Sequence, residues 1–149
     1  MGKIESIAGK SRVMVVDDEP TVCGSVEKIL QRKGYEVARA LCVSDALDRL
    51  EAGNSCDLII ADLMMPQVGG IELLKIVRER WPNIPVLIIT GYASIASAVE
   101  ATRYGAVGYV PKPFTPDELM QEIDRVLSSY PHLRDDDFVV EHLDRWLAP

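Results

Sequence analysis

CDLIIADLMMP, residues 56–66, is the stretch that decides the fold of this chain, because an uninterrupted apolar run ends there at an acid. Residues 58–61 have the composition of a buried β-strand, and Asp62 follows them directly. A fully apolar strand is typical of a parallel sheet covered by helices on both faces, and such sheets place their chemistry at the carboxyl ends of the strands. Asp62 is therefore the first candidate functional residue.

Polar side chains also follow three other predicted strands. These strands cover residues 12–16, 86–89 and 107–110, and the polar residues after them are Asp17 and Asp18, Thr90, and Lys112. Because the carboxyl ends of parallel strands meet at one edge of a sheet, we expect these side chains to lie close to Asp62. That edge then carries a cluster of acids, a hydroxyl and an ammonium group.

The segments between these strands have apolar residues at helical spacing. In the first segment Val22, Val26 and Leu30 fall on one face of a helix, and a further strand is predicted after it at residues 35–39. The same alternation continues along the chain. Five strands alternating with five helices predict an α/β fold with a doubly wound, parallel five-stranded sheet and right-handed crossovers.

The residues around the fifth strand carry two local signals. Pro111 has no N–H to donate to a neighbouring strand, so we expect the fifth strand to lie at an edge of the sheet. Thr115, Pro116 and Glu118 have the spacing of a capping box, which predicts the start of the last helix.

Length and composition restrict the class of protein. The chain has 149 residues, enough for one domain with a full core. Its 16 Lys and Arg against 23 Asp and Glu give a net charge of −7, which opposes nucleic-acid phosphates, so we expect no direct nucleic-acid binding. No apolar run approaches the ~20 residues that span a bilayer, and we expect no membrane contact. Cys23, Cys42 and Cys56 lack metal-binding or redox spacing, and we expect reduced packing residues in a cytoplasmic protein.

The alternating pattern does not extend to the two ends of the chain. Residues 1–11 are polar and without periodicity, which predicts a flexible N-terminal arm before a domain at residues 12–129. In residues 130–149, Val139, Leu143 and Trp146 lie at helical spacing. This spacing predicts a short amphipathic helix in a tail that is too small to be an output domain.

The predicted cluster of acids has a chemical consequence. Three carboxylates at one sheet edge repel each other unless a cation neutralises them, and oxygen ligands with room for water suit Mg²⁺, for which Mn²⁺ can substitute. A lysine and a hydroxyl beside such an ion are groups that stabilise a transferring phosphoryl group. Asp62 is then the natural nucleophile, and its product would be an aspartyl phosphate.

The motifs VVDDEP, IIADLMMP, GGIELL, IITG and VPKPF occur in this order between residues 12 and 128. As a set they resemble the receiver domain of bacterial two-component response regulators. The stretch TGYASIASAVEATRYGA is most similar to receivers of the σ54-dependent activator type. The resemblance implies a flavodoxin-like (βα)5 fold with strand order 2-1-3-4-5.

The resemblance also implies a role for each matching residue. Asp62 would be the phosphoacceptor, and the Mg²⁺ ligands would be Asp62, Asp18, Asp17 through a water, and the backbone carbonyl of Met64. Thr90 and Lys112 would contact the phosphoryl oxygens, and Thr90 and Tyr109 would form the switch that reads phosphorylation.

The implied function is a phosphorylation switch rather than an enzyme with its own substrate. A sensor histidine kinase or a histidine phosphotransfer protein would supply the phosphoryl group. A downstream protein, or a second copy in a homodimer, would bind the face of the fourth helix, fifth strand and fifth helix.

Three alternatives remain open on sequence alone. The chain could be the receiver fragment of a larger transcriptional regulator, or a constitutive adaptor that is never phosphorylated. A phosphate-ester hydrolase with an aspartyl phosphate intermediate is disfavoured, because the haloacid-dehalogenase pattern of two Asp flanking one residue after the first strand is absent.

Overall fold

The computed structural model describes residues 11–65 and 67–129. Five parallel strands form one sheet in the order β2-β1-β3-β4-β5, which confirms the predicted flavodoxin-like topology. The strands are β1 (Arg12–Val16), β2 (Glu36–Ala40), β3 (Leu58–Asp62), β4 (Val86–Thr90) and β5 (Gly108–Pro111). The helices are α1 (Pro20–Gln31), α2 (Val43–Glu51), α3 (Gly70–Arg80), α4 (Ile95–Arg103) and α5 (Pro116–Ser129).

The helices cover the sheet on both faces, as the apolar strands require. Buried residues of α1 and α5 pack with Val13, Val15 and Ile60 on one face, and buried residues of α2, α3 and α4 pack with Met14 and Ile59 on the other. Successive strand residues alternate between these two cores, so β3 and β4 are buried along their whole length. Helices therefore pack against the strands that carry Asp62 and Thr90 on both faces of the sheet.

The register of the strands brings the predicted polar residues to one edge. Val16 pairs with Ala61, and Thr90 pairs with Pro111. β5 is an edge strand, as Pro111 predicts, and pairing resumes directly after the proline because the Lys112 N–H donates to the Thr90 carbonyl at 2.8 Å. The missing N–H of Pro111 therefore does not displace the lysine.

Several boundaries differ by one residue from the predicted ones. β3 and β4 include Asp62 and Thr90, whose backbones continue the ladder although their side chains are polar. β2 begins one residue later than predicted and extends to Ala40, whose carbonyl accepts a hydrogen bond from Asp17 N–H at 3.1 Å. β5 is likewise shifted by one residue, to Gly108–Pro111. Backbone pairing, which the sequence does not display, sets these ends.

The predicted capping box at the start of α5 is present. Thr115 N–H donates to Glu118 Oε1 at 2.8 Å, and Glu118 N–H donates to Thr115 Oγ1 at 3.1 Å. All three cysteines are free. Cys23 and Cys56 are buried packing residues, but Cys42 is exposed, so the prediction of a packing role is wrong for Cys42, which lies in the loop between β2 and α2.

Within the described residues, no helix is both long enough and apolar enough to cross a membrane. The predicted arm lies outside the described residues except for Ser11. The predicted amphipathic tail at residues 130–149 lies wholly outside them.

Candidate functional site

Three carboxylates meet at the carboxyl edge of the sheet. Asp17 and Asp18 follow β1, and Asp62 is the last residue of β3, the neighbouring strand. Asp17 and Asp62 are buried, whereas Asp18 reaches the solvent, and one oxygen from each lies within 4.8 Å of the other two. We call these three residues the acid pocket. The structure thus brings together the three acids that the sequence predicts.

Lys112 reaches into the acid pocket from the loop after β5. Its Nζ lies 3.0 Å from Asp17 Oδ2, 3.3 Å from Asp62 Oδ2 and 3.6 Å from a carboxylate oxygen of Glu19. Sequence reasoning predicted the position of Lys112 but missed Glu19, which is only one of many exposed acids when judged by its type. Lys112 thus contacts Asp62 and two further acids at the same edge of the sheet.

Burial and repulsion disfavour the ionised form of Asp62. Burial is the main effect that raises the pKa of Asp62, and repulsion from the Asp17 carboxylate raises it further. Lys112 and the hydrogen bond from the Met64 N–H partly offset both effects. For Lys112, burial alone would lower the pKa, but hydrogen bonds and charge interactions with Asp17 and Asp62 outweigh it and raise the pKa. The lysine is therefore charged at neutral pH.

The acid pocket fits a divalent cation. Three carboxylates against one ammonium leave two negative charges, and every candidate side-chain ligand is an oxygen, the ligand type that Mg²⁺ prefers. The Met64 N–H lies 3.3 Å from Asp62 Oδ1, which places the backbone of Met64 beside the pocket. One oxygen of Asp17 also accepts the Glu19 N–H at 2.9 Å, which orients that carboxylate.

Thr90 and Tyr109 lie on the neighbouring strands β4 and β5. Thr90 is fully buried, and its Oγ1 accepts a hydrogen bond from the Tyr92 N–H at 3.0 Å. Tyr109 is only 3% exposed, and its hydroxyl accepts the Ser94 N–H at 3.3 Å and lies 2.5 Å from Ser97 Oγ. The tyrosine is thus joined to the start of α4.

Ser94 and Ser97 were missed as functional candidates. Each serine side chain bonds to the backbone of the other, which forms a capping box at the start of α4. The signal was the S-x-x-S spacing before the helix, but the usual capping box has Glu or Gln at the last position. The contact of Ser97 with Tyr109 spans 12 residues and has no local signal.

The family of the chain follows from this fold and site together with comparisons. Residues 13–124 match the family model described as the response regulator receiver domain. The chain belongs to this family of signalling domains of two-component systems, whose members are not conventional enzymes.

Two relatives agree with the predicted σ54-activator type. The chain is 38% identical over 123 residues to the DNA-binding transcriptional regulator NtrC of Proteus hauseri, covering 81% of this chain and 25% of that protein. It is 36% identical over 122 residues to the transcriptional regulatory protein ZraR of Salmonella typhimurium, covering 82% and 27%. Both are response regulators of the σ54-activator type. The chain spans about a quarter of the length of these relatives.

Two solved structures share the fold. A response regulator receiver domain protein from Clostridium thermocellum has a TM-score of 0.75 at 30% identity, covering 83% of this chain and 98% of that one. The chemotaxis protein CheY4 of Vibrio cholerae has a TM-score of 0.73 at 35% identity, covering 79% and 99%. This chain covers nearly the whole length of both structures, so it shares their fold from end to end.

The electrostatics of the pocket predict that Asp62→Asn raises the melting temperature of the metal-free protein at pH 7. The folded-state pKa of Asp62 is above its unfolded value, so its contribution to stability is present below the unfolded pKa and is lost as pH rises through the folded pKa. A neutral side chain avoids this loss of stability at pH 7, and we expect the melting temperature to rise by roughly a few degrees.

Calorimetry in EDTA and again with Mg²⁺ checks this prediction. Mg²⁺ should raise the melting temperature of the wild type more than that of Asp62→Asn, because the variant lacks one anionic ligand. A lower melting temperature of Asp62→Asn in EDTA would contradict the expected repulsion.

Proposed function

We propose that this chain is a Mg²⁺-dependent phosphorylation switch in which Asp62 accepts a phosphoryl group from a sensor histidine kinase or a histidine phosphotransfer protein. The observation that carries the proposal is the Asp62 carboxylate held 3.3 Å from Lys112 within a cluster of three acids. A buried carboxylate beside an ammonium and a potential cation site is arranged for attack on phosphorus.

In the proposed reaction, a carboxylate oxygen of Asp62 attacks the phosphorus, and the bond from phosphorus to the donor nitrogen breaks. Asp17, Asp18, Asp62 and the backbone carbonyl of Met64 would hold Mg²⁺, with Asp17 acting through a water. When bound, Mg²⁺ supplies charge that offsets the incoming phosphoryl oxygens.

Lys112 and Thr90 complete the site after transfer. Lys112 exchanges its contact with the Asp62 carboxylate for a phosphoryl oxygen, while it keeps Asp17 at 3.0 Å as an anchor. The Thr90 hydroxyl at present accepts from the Tyr92 N–H, and its own proton is available for a phosphoryl oxygen. Both residues therefore stabilise charge that appears only when Asp62 is modified.

Incubation with Mg²⁺ and acetyl phosphate tests this function. Intact mass spectrometry should show one added phosphoryl group, and EDTA should prevent the addition. Failure of the wild type to gain a phosphoryl group from acetyl phosphate and from a protein donor would favour the constitutive adaptor.

The proposed docking site of the phosphodonor protein is an apolar groove beside Lys112. Its cavity is about 470 Å³, and its lining residues are Thr21, Val22, Ser25, Lys112, Pro113 and Phe114. The groove joins the start of α1 to the loop that carries the lysine. A protein seated there would bring a histidine side chain toward Asp62.

We predict that Ser25→Arg slows phosphotransfer from a protein donor roughly tenfold or more and leaves acetyl phosphate labelling unchanged. Ser25 is exposed, so a bulky side chain blocks the groove without disturbing the core. Gln31→Arg, an exposed position at the far end of α1, is the matched control. Equal transfer to Ser25→Arg and to the control would place the phosphodonor elsewhere.

The proposed output surface is the face formed by α4, β5 and α5. Ile95, the first residue of α4, is 69% exposed. A partner that covers this side chain would remove its apolar surface from water, which favours association. A downstream protein or a second copy in a homodimer would bind there.

The proposal also concerns the longer protein and the cell compartment to which the domain belongs. The chain covers only a quarter of NtrC and ZraR, which supports the alternative of a receiver from a larger transcriptional regulator. DNA binding is a property of NtrC, the longer protein. We place no nucleic-acid contact on this acidic chain, and we place it in the cytoplasm, as is typical of the family.

The residues around the nucleophile predict a long-lived phosphoryl group. Met64 and Tyr92 follow Asp62 and Thr90 by two residues, are 53% and 71% exposed, and have no acid or amide that could orient an attacking water. Met64→Asn combined with Tyr92→Glu should therefore speed dephosphorylation roughly tenfold or more.

The decay of phosphorylated protein in Mg²⁺, followed by intact mass, measures this rate. Met64→Leu combined with Tyr92→Phe keeps the bulk without adding a polar group and should decay like the wild type. An unchanged rate in the Asn and Glu variant would contradict the proposed cause of the long lifetime.

A further inference from the structure

Gly70, the first residue of α3, lies directly against the backbone of the nucleophile. A Cβ atom at this position would collide with the carbonyl oxygen of Asp62, and it would lie 3.0 Å from both the Asp62 carbonyl carbon and Leu63 Cα. All three are backbone atoms, so no side-chain rotation could relieve the contact. Space alone therefore requires glycine at residue 70.

Conformational freedom is not the reason for this glycine. Among the described residues, positive φ angles of glycine occur at Gly34, Gly53 and Gly105, and Gly70 begins a regular helix. Gly70 N–H also donates to the Leu63 carbonyl at 3.0 Å. The start of α3 and the end of β3 are thus joined by a hydrogen bond and by close packing of their backbones.

The contact affects the acid pocket because the backbone atoms concerned belong to the pocket itself. Asp62 supplies the nucleophilic carboxylate, and the next peptide unit leads to the Met64 N–H, which donates to Asp62 Oδ1. A methyl group on residue 70 would push this peptide unit away from α3. The Asp62 carboxylate and the Met64 backbone would move with it relative to Asp17 and Asp18.

We infer that Gly70 is a positioning residue for the acid pocket: its missing side chain sets where Asp62 and Met64 stand relative to Asp17 and Asp18. The inference rests on the proposed Mg²⁺-dependent function of that pocket. Metal sites depend on supporting contacts, and changing such a contact typically weakens metal affinity by roughly 10–100-fold.

The test is Mg²⁺ affinity measured by titration calorimetry, with Mg²⁺ alone as the probe. Gly70→Ala should bind Mg²⁺ roughly 10–100-fold more weakly than the wild type. Gly108→Ala is the matched control, because its Cβ would collide with the Leu87 side chain and lie 3.1 Å from Glu122 Oε1, at the edge of the sheet opposite the pocket. This control should lower the melting temperature but leave Mg²⁺ affinity unchanged.

Gly69→Ala keeps the inference testable if Gly70→Ala does not fold. Its Cβ would lie 2.8 Å from the Leu63 carbonyl oxygen, a milder contact at an ordinary extended backbone, so we expect an intermediate loss of affinity. The inference would be overturned if whichever of these two variants folds binds Mg²⁺ as tightly as the wild type, or if Gly108→Ala loses as much Mg²⁺ affinity as they do. Either result would leave the proposed function intact. Absence of Mg²⁺ binding by the wild type would overturn the proposed function, and the inference with it.

Discussion

Replacing Asp62 with asparagine should abolish phosphoryl incorporation from acetyl phosphate and from a protein donor. The amide has no anionic oxygen to attack phosphorus, and it is a poorer ligand for a divalent cation. The side chain keeps its size, and Lys112 retains Asp17 and Glu19 as partners, so the fold should persist. Intact mass spectrometry after incubation with Mg²⁺ and acetyl phosphate should show only the unmodified mass.

The same substitution at the other end of the sheet is the control. Asp57 is exposed beside the start of β3, where it accepts the Arg12 N–H at 2.8 Å. Asp57→Asn should be labelled as efficiently as the wild type. Undiminished labelling of Asp62→Asn on another aspartate would remove Asp62 from the central role in the proposed function.

The sequence was sufficient to predict the fold and the acid pocket because both follow from short patterns. Apolar runs that end at Asp17, Asp62 and Thr90 indicate buried strands, and the parallel arrangement brings the ends of these strands to one edge. Lys112 was found for the same reason, since it follows the end of β5. The apolar run of each strand and the position of the polar residue at its end are therefore enough to predict the sheet and the acid pocket.

The contacts that adjust the site were not predictable, because they depend on distances between elements. Gly70 resembles any glycine in a turn until the backbone of Asp62 is seen beside it. Glu19 is one exposed acid among many until Lys112 reaches it from the other end of the chain. Close approach between segments depends on the exact packing of α3 and β5 against their neighbours, which no local pattern contains.

The position of Tyr109 also goes beyond the sequence. The resemblance to receiver domains implies that Tyr109 moves when Asp62 is modified. In the structure its ring is buried and its hydroxyl is bonded at the start of α4. α4 itself buries only the small residues Ala98 and Ala101. A lightly packed helix that depends on a hydroxyl from β5 is the element best able to change position when that contact changes.

We therefore expect phosphorylation to change the fraction of molecules in which Tyr109 is bonded at the start of α4, the arrangement that the structure shows. A phosphoryl oxygen would offer Thr90 a partner in addition to the Tyr92 N–H. We expect the hydroxyl of Thr90 to move toward it and to change the space beside Tyr109, which lies on the neighbouring strand. The shift is set by the difference in contacts between the two arrangements, and a few kcal/mol is enough to invert their populations.

Thr90→Ala should still be phosphorylated, although more slowly, and should lose most of the response in α4. Tyr109→Phe should also be phosphorylated but should show a smaller response in α4, because the ring remains while the hydroxyl contacts with Ser94 and Ser97 are lost. A hydrogen bond contributes roughly 0.5–1.5 kcal/mol, so the change in population is up to about tenfold.

Amide chemical shifts of α4, recorded before and after addition of beryllofluoride as a phosphoryl mimic, measure this response. Tyr104→Phe is the matched control, because it removes a hydroxyl from a partly exposed tyrosine that follows α4. Its shifts should change as in the wild type. If Thr90→Ala and Tyr109→Phe both keep the full response, the coupling does not pass through these residues, and the change at Asp62 reaches the surface by another route.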